Sequence, residues 1–316
     1  MPSEPDSTAA IGVVVQPDET STTLEMIGLA EQAGAGTVWL TTGRFRPDAL
    51  TIMAAASRFT TRIRMGAAVV PIWPRHPLAL ALQVDALESL APGRIRLGLG
   101  PSTPAAMSSF GADFRRPLSH LREYLNCLRT LFREGRVDFR GEFVRAKGKL
   151  ATPLPTEVLG SALGPGAFRL CGEAADGAIT WVCPPRYVKT TGLPALRSGA
   201  IATDRVPPPI VLCVPTLVSE DIGELRRAAQ RHIAPYMGFE YYREMFRRSG
   251  YSPDDQQLPS SLLDELVVHG SVEEVAARLS ELATWSEVMV FPLTGGLSDR
   301  QGFERCLEAI GKAVGK

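Results

Sequence analysis

The chain has 316 residues, of which 45% are hydrophobic and 22% charged, so it can bury a substantial core as one large barrel or as two ordinary domains. Its 34 basic and 34 acidic side chains balance, which excludes the strong overall charge that draws proteins to nucleic acid or to anionic membranes. No stretch reaches the ~18 consecutive apolar residues that a membrane helix needs. A small molecule is therefore the expected partner, with no nucleic acid and no membrane.

The five cysteines are widely spaced, with no C-x-x-C pair and no histidine at ligand spacing. This spacing is typical neither of a disulfide framework nor of a structural zinc site, so we expect no bound metal. The first ten residues hold two acids and no apolar run, which is not the pattern of a secretory signal. We therefore expect a protein of the reducing cytoplasm.

Short apolar runs rich in Val and Ile alternate with longer amphipathic stretches about eight times along the chain. The runs suit strands buried on both faces, and their alternation with helices is typical of βα units around a parallel sheet. Eight strands with short connections favour a closed barrel over two open sheets. The sequence thus predicts an α/β fold, a (β/α)8 TIM barrel formed by residues 1–316 as one domain. The predicted strands are residues 11–15, 37–41, 63–70, 94–100, 157–162, 177–182, 210–215 and 287–291.

Two insertions interrupt this pattern, one after the fourth strand and one after the seventh. The first, residues 100–151, carries a predicted helix at 118–133 and then a small hairpin that turns around Arg140-Gly141. The second, residues 235–262, is rich in aromatic side chains. Long insertions after barrel strands form lids and substrate walls, although a packing element or a dimer contact would have the same composition.

Glycines at strand ends indicate a binding site. Residues 161–168 run from a strand end through small residues into an amphipathic helix, and the free N–H groups and dipole of a new helix favour an anion such as a phosphate. An ordinary strand-to-helix turn would have the same pattern. In the fourth strand, Gly98 and Gly100 do not form a G-x-G-x-x-G turn, because no third glycine follows and Pro101 interrupts the helix start. These glycines either leave room for a flat ring above them or relieve crowding inside the barrel.

The third strand ends in a proline-rich exit, residues 71–77. Its three prolines fix three φ angles, which suits a wall against which a cofactor is held. His76 lies in this exit and is a candidate general acid, although its place between Arg75 and Pro77 is more typical of a packing residue at a helix start. The chain has no Ser/His/Asp order, no G-x-S-x-G elbow and no convincing carboxylate pair at strand ends, which argues against hydrolase and glycosidase chemistry.

Taken in order, these segments resemble the luciferase-like monooxygenase superfamily, and more narrowly its actinobacterial F420-dependent oxidoreductases. The resemblance covers roughly residues 11–185 and extends loosely beyond them. It rests on RIRMG (62–66), VVPIWPRHP (69–77), GR (93–94) with LGLG (97–100), RP (116–117) with REYL (122–125), GEF (141–143) and ALGP (162–165) with AADG (174–177). It implies a barrel that is usually a homodimer and that binds coenzyme F420, or FMN as the alternative.

The resemblance also implies where the cofactor lies. The ring is expected against a bulge in the third strand, whose cis peptide maps to Ala67–Ala68, and the phosphate is expected at Ala162 to Gly164. Together with the residue-level argument, the expected cofactor-binding residues are Thr41, Ala67, Ala68, Val69, Gly100, Ser102, Ala162, Leu163, Gly164, Pro165, Gly166, Trp181, Val182 and Cys183.

The chain departs from its relatives at the positions of acid–base catalysis. Many relatives carry an acidic residue followed by histidine after the second strand, where this chain reads Thr42-Gly43-Arg44, and sugar-phosphate dehydrogenases carry a glutamate where this chain has Thr103. This difference argues against dehydrogenation of an alcohol by a histidine–glutamate pair. We expect instead an F420H2-dependent reductase of C=C or C=N bonds, in which positioning dominates and Thr42 and Thr103 orient the reactants. An FMN-dependent monooxygenase and a non-catalytic barrel that has lost its site are the alternatives.

Overall fold

Eight parallel strands close into a barrel in the computed structural model, which describes residues 10–42, 45–252, 258–294 and 299–315. The strands are β1 (Ile11–Val15), β2 (Thr37–Leu40), β3 (Arg64–Pro71), β4 (Ile95–Gly100), β5 (Arg136–Arg140), β6 (Arg145–Lys149), β7 (Glu157–Ser161), β8 (Gly177–Ile179), β9 (Ile210–Val218), β10 (Val268–Gly270) and β11 (Glu287–Pro292). The barrel order is β1-β2-β3-β4-β7-β8-β9-β11, and β11 pairs back with β1. The predicted (β/α)8 barrel is confirmed, with no predicted strand end displaced by more than three residues.

Helices surround the barrel and fill both insertions. They are α1 (Thr20–Ala33), α2 (Ala49–Ala56), α3 (Pro77–Leu90), α4 (Pro104–Ser108), α5 (Pro117–Glu134), α6 (Pro165–Ala174), α7 (Pro185–Tyr187), α8 (Leu193–Ile201), α9 (Ile222–His232), α10 (Glu240–Arg248), α11 (Ser260–Leu266), α12 (Val272–Ala283) and α13 (Asp299–Ala313). A π-helical turn, Val188–Gly192, links α7 to α8, and a 3₁₀ turn, Ala234–Gly238, follows α9. In the described ranges, no helix combines the length and the apolar character needed to cross a bilayer.

His76 shows how local chemistry sets a helix boundary. Its Nδ1 accepts a hydrogen bond from the Leu78 N–H at 3.2 Å and so caps α3, while its Nε2 lies 3.0 Å from the Arg145 carbonyl oxygen. Pro77 occupies the first helical position, where a missing N–H costs nothing. His76 therefore has the packing role at a helix start, and both ring nitrogens are engaged.

Strand β3 contains the expected bulge. Ala67 pairs with Leu97 and Val70 with Leu99, so Ala68 and Val69 together lie opposite the single residue Gly98. The cis peptide joins Ala68 to Val69. The prediction of Ala67–Ala68 was wrong by one residue, because Ala67 keeps its regular partner and the irregular bond joins the two bulged residues.

The insertion after β4 contains the predicted hairpin with a wider turn than expected. Strands β5 and β6 pair from Arg136↔Lys149 to Arg140↔Arg145, which leaves residues 141–144 as the loop. The Glu123 carboxylate accepts hydrogen bonds from three successive loop N–H groups, those of Glu142, Phe143 and Val144, at 3.0, 2.7 and 2.9 Å. The turn therefore wraps around a carboxylate of α5 rather than reversing at Arg140-Gly141.

The insertion after β9 contains α9, the 3₁₀ turn, α10, α11 and β10, so both insertions lie where the sequence predicts them. Strand β10 was not predicted. It extends the sheet by pairing with Thr216, Leu217 and Val218 of β9, beyond the part of β9 that pairs with β8. Three residues are too few for a periodicity signal.

Side chains fill the amino end of the barrel. Arg96, only 2% exposed, pairs with Glu157 at 2.6 Å and with Glu287 at 2.5 Å. Its guanidinium lies 4.9 Å from the ring centroid of Trp39, whose indole occupies the space where a side chain on Gly66 would be. The space for a ligand is therefore at the carboxyl ends of the strands, as in other barrels of this type.

Candidate active site

The bulge of β3 is tied to the end of β2. The Thr42 hydroxyl, half-buried after β2, donates a hydrogen bond to the Val69 carbonyl oxygen in the bulge. Thr41, also half-buried, donates its N–H to the Val15 carbonyl oxygen at 3.3 Å. Thr42 therefore holds the bulge in place, while Gly43 and Arg44 lie outside the described residues.

Two glycines of β4 allow the bulge to pack. A Cβ on Gly98 would lie 2.3 Å from the Ala67 carbonyl oxygen, and one on Gly100 would lie 2.7 Å from Val69 Cγ2 and 2.6 Å from Ser161 Oγ. Real Cβ atoms do not approach so closely. Of the two sequence interpretations, relief of crowding is the one that these contacts support.

The exits of β3 and β4 form one wall. The Trp73 Nε1–H donates to the Pro101 carbonyl oxygen at 3.0 Å, and the Ile72 N–H donates to the Gly100 carbonyl oxygen at 3.1 Å. Ser102 follows with a left-handed φ of 61°. The Thr103 hydroxyl accepts a hydrogen bond from the Ala106 N–H at 3.1 Å and caps α4, so its oxygen already has a structural partner.

The start of α6 offers backbone donors. Gly164 is the N-cap and has no side chain to satisfy the first N–H groups of the helix. A Cβ at Gly164 would meet nothing within 4 Å, and Gly166 is exposed. In the part of the chain that the structure describes, the N–H groups of Gly164 and Gly166 have no acceptor. Free N–H groups beside open space at the positive end of a helix suit a phosphate.

The other predicted residues of this segment differ in what they present. Leu163 and Pro165 are half-buried. Ala162 is 4% exposed, and its N–H donates to the Ile179 carbonyl oxygen at 2.8 Å. Ala162 therefore joins the ends of β7 and β8, and its own N–H is not available to a ligand.

Beyond β8, the three predicted residues have different environments. Val182, with a positive φ of 49°, and Cys183 are both fully buried. Burial also raises the pKa of the Cys183 thiol, which keeps it protonated. Trp181 is half-buried, and its ring centroid lies 4.9 Å from that of Phe291 at the end of β11. Of the three side chains, only that of Trp181 is partly exposed.

The structure places one residue of the aromatic insertion at this end, where the sequence predicted a lid or substrate wall, and adds His232 and Phe291, which the sequence did not single out. The Trp181 Nε1–H donates to Tyr236 Oη at 2.6 Å, across a sequence separation of 55 residues. His232 Nε2 lies 3.1 Å from Thr294 Oγ1, and its ring centroid lies 6.0 Å from that of Phe291. The aromatic composition of residues 235–262 was the only sequence signal for Tyr236, and residues 253–257 of that insertion lie outside the described residues.

The aromatic insertion has both packing and exposed parts. Phe246 and Tyr242 are buried, at 0% and 7% exposure, and belong to the hydrophobic core. Tyr241 is 41% exposed. The packing interpretation therefore holds for Tyr242 and Phe246, while Tyr236 lies against Trp181 at the strand ends.

His120, on α5 behind the β3–β4 wall, was also missed. Its ring lies 4.4 Å from Trp73 in a T-shaped arrangement and 5.2 Å from Phe143 in a stacked one. Burial lowers the pKa of His120, and its Nδ1 has no hydrogen-bond partner among the described residues. This neutral imidazole supports the wall, since it packs directly on Trp73.

Predicted residues on neighbouring strands thus lie side by side along one rim, from Thr42 through Val69 and Gly100 to Ala162 and Trp181. Within the described ranges, no three His, Cys, Asp or Glu side chains cluster as a metal site would require. The rim combines a fixed bulge, free N–H groups and aromatic rings. Such a rim can hold a flat anionic cofactor and orient a reactant above it.

Comparison with known proteins was made on sequence and on fold. A family model described as luciferase-like monooxygenase matches residues 4–286. A Mycobacterium tuberculosis protein named as a coenzyme F420-dependent oxidoreductase is 26% identical over 87% of this chain and 91% of its own length. An F420-dependent glucose-6-phosphate dehydrogenase of Beutenbergia cavernae is 32% identical over 63% of this chain and 64% of its own. In fold, the coenzyme F420-dependent tetrahydromethanopterin reductase of Methanopyrus kandleri superposes with a TM-score of 0.75, at 16% identity, over 94% of this chain and 97% of its own.

Proposed function

The chain belongs to the luciferase-like monooxygenase family, and we propose that it is an F420H2-dependent reductase that delivers hydride to a C=C or C=N bond. The substrate class is a small metabolite or natural-product intermediate. Two relatives whose names include F420 support the choice of cofactor over FMN. The observation that supports the reductase assignment is that the hydroxyls of both threonines make structural hydrogen bonds. The oxygen of Thr103 caps a helix and the hydroxyl of Thr42 holds the bulge, so neither stands in for the acid–base pair of an alcohol dehydrogenase.

F420, when bound, supplies a hydride donor. The open space at Gly164 and the free N–H groups of the α6 start fit its phosphate, and the bulge fits its ring. Leu163 and Pro165 would flank the phosphate, and Trp181 would close the far side. The proposed ring contacts are Thr41, Ala67, Ala68, Val69, Gly100 and Ser102, with Ala162, Val182 and Cys183 contributing backbone or packing.

The two threonines are proposed to position rather than to transfer protons. Thr42 fixes the bulge carbonyl that would face the ring, and Thr103 fixes the start of α4 beside Ser102. We expect Thr42→Ala and Ser102→Ala to weaken F420 binding and turnover. Unchanged affinity and turnover in both variants would refute this assignment.

The phosphate position has a charge-matched test at Gly164. Asp and Asn are both good N-caps, and a side chain at Gly164 meets no neighbour within 4 Å. Both Gly164→Asp and Gly164→Asn should therefore fold, while the aspartate places a negative charge where the phosphate is proposed. We expect F420 affinity to fall about tenfold or more in Gly164→Asp relative to Gly164→Asn. Equal affinities would place the phosphate elsewhere.

The choice of cofactor is tested directly by titrating the protein with F420 and, separately, with FMN, and by following oxygen uptake with each reduced form. We expect tight binding of F420 and no oxygen uptake. Oxygen uptake with FMNH2 and a hydroxylated product would establish the monooxygenase instead, and binding of neither cofactor at micromolar concentration would indicate a barrel without a site.

We further propose that residues 1–316 form one domain that assembles as a homodimer in the cytoplasm. All five cysteines are free and buried, as suits a reducing compartment. Helix α3 supports a dimer because Leu82 is 65% exposed and Leu90 45%, and every exposed side chain of α3 is uncharged. Light scattering should show a dimer that Leu82→Asp dissociates. Ile201→Asp, at a 74% exposed site on α8, is the control.

A further inference from the structure

The hydroxyl of Tyr236 lies at the carboxyl end of the barrel, close to two strand ends. Tyr236 belongs to the 3₁₀ turn that follows α9, and its Oη accepts a hydrogen bond of 2.6 Å from the indole N–H of Trp181. Trp181 follows β8, and its ring centroid lies 4.9 Å from that of Phe291 on β11. The phenol is therefore held next to the ends of β8 and β11.

The O–H of Tyr236 can donate a hydrogen bond to a ligand. Because the oxygen uses a lone pair to accept from Trp181, its own O–H must point in another direction. Within the described ranges, no group accepts that O–H. Burial raises the pKa of Tyr236 to about 12, so the phenol stays protonated at neutral pH. Its ring packs 4.9 Å from that of the buried Tyr242, which limits its movement.

We propose that Tyr236 is a catalytic residue that donates a hydrogen bond to the electronegative atom of the substrate's activated bond. The inference rests on the proposed function. As the new C–H bond forms, the π electron pair of the substrate moves onto the imine nitrogen or the conjugated carbonyl oxygen. The Tyr236 O–H stabilises that negative charge, and water then supplies the proton. The two electrons come from the reduced cofactor, which is oxidised.

This role defines a substrate class. The substrate needs a hydrogen-bond acceptor conjugated to the bond that is reduced, such as an enone or a cyclic imine. The neighbouring rings of Trp181 and Phe291 suit a flat molecule that can stack against them. A preorganised donor aimed at the developing charge is worth more than one that must reorient during the reaction.

The test compares Tyr236→Phe with Tyr241→Phe. Both variants remove one phenol oxygen from the same insertion, but the Tyr241 hydroxyl makes no hydrogen bond among the described residues and its side chain is 41% exposed. The binding probe is 4-nitrophenolate, a flat ring with an anionic oxygen, titrated by its absorbance against the protein alone and with oxidised F420. The turnover probe is cyclohex-2-en-1-one with reduced F420.

We expect Tyr236→Phe to weaken 4-nitrophenolate binding by about tenfold or more and to lower kcat on the enone by about 100-fold or more, with F420 affinity unchanged. Tyr241→Phe should match the wild type. Trp181→Phe, which leaves the phenol but removes the group that orients it, should show a smaller loss of probe affinity.

The outcomes separate this inference from the proposed function. Equal 4-nitrophenolate affinities in the wild type and Tyr236→Phe, or no binding by either, would overturn the role of Tyr236 even if F420 binds well. Failure of the wild type to bind F420 would overturn the proposed function, whereas the binding comparison in the protein alone would still report on Tyr236.

Discussion

Gly98→Ala is expected to destabilise the barrel at the bulge that the site depends on. Gly98 lies opposite Ala68 and Val69, and an added Cβ would lie 2.3 Å from the Ala67 carbonyl oxygen and 2.6 Å from Ile179 Cδ1. The methyl end of Ile179 can turn away, but the carbonyl belongs to the backbone of the bulge. The substitution should therefore displace the bulge itself.

The size of this effect follows from known substitutions. Overpacking a well-packed core costs ~1–3 kcal/mol. Replacing glycine by alanine in a strand recovers ~0.5–1 kcal/mol of chain entropy, so we expect a net loss of at most about 2.5 kcal/mol. With an unfolding entropy of ~2.1 cal/mol/K per residue, this loss lowers Tm by at most about 4 °C in a chain of this size. Loss of F420 affinity should be the larger signal, because the ring is proposed to lie on the displaced backbone.

The assay is calorimetry and F420 titration of Gly98→Ala beside Gly148→Ala. Gly148 is also a strand glycine, but an added Cβ would lie at an ordinary 3.4 Å from Leu78 Cδ2. We expect Gly148→Ala to be at least as stable as the wild type and to bind F420 equally well. If Gly98→Ala behaves in the same way, the bulge is not held by contact with Gly98 and the proposed ring position loses its main support.

Three further predictions concern the parts that support the rim. Glu123→Gln should lower the free energy of unfolding by about 1–3 kcal/mol and speed hydrogen exchange at residues 142–144, because an amide cannot accept hydrogen bonds from three N–H groups as the carboxylate does. Exchange no faster than in the wild type would contradict this. Burial lowers the pKa of His120 from 6.5, so the unfolded state binds its proton more readily and stability should fall as pH drops below 6.5. His120→Gln should flatten the plot of Tm against pH in that range, and an unchanged slope would show that His120 does not titrate differently in the folded state. The native protein should react very slowly with a thiol reagent and expose all five thiols only in denaturant, because the cysteines are buried. Burial also raises the pKa of Cys127 to about 11 and that of Cys171 to about 12, which keeps these thiols protonated. Rapid reaction of the native protein would contradict this burial.

The sequence predicted what is repeated and local, and missed what depends on distant contacts. The eight barrel strands were visible because each is a run of buried residues bounded by turn signals. The bulge position was one residue out because it is set by packing against Gly98 and not by a property of Ala67 or Ala68. The bond between Trp181 and Tyr236 joins residues 55 apart in the chain, and nothing in either local pattern indicates it. Likewise, His120 sits at an ordinary helical position, and only its packing on Trp73 shows that it is buried.

The two sides of the rim present different chemical groups, which indicates which side would bind the cofactor and which the substrate. The side formed by β3, β4 and β7 offers backbone groups: the bulge, the Pro101 carbonyl and the free N–H groups at Gly164 and Gly166. The side formed by β8 and β11 offers rings and one phenol. A phosphate needs backbone donors at a helix start, whereas a flat acceptor needs rings and a single directed donor. A cofactor anchored on the first side and closed off by Trp181 would therefore leave Phe291 and the Tyr236 phenol for the substrate, and this separation allows the substrate site to change without loss of the phosphate contacts.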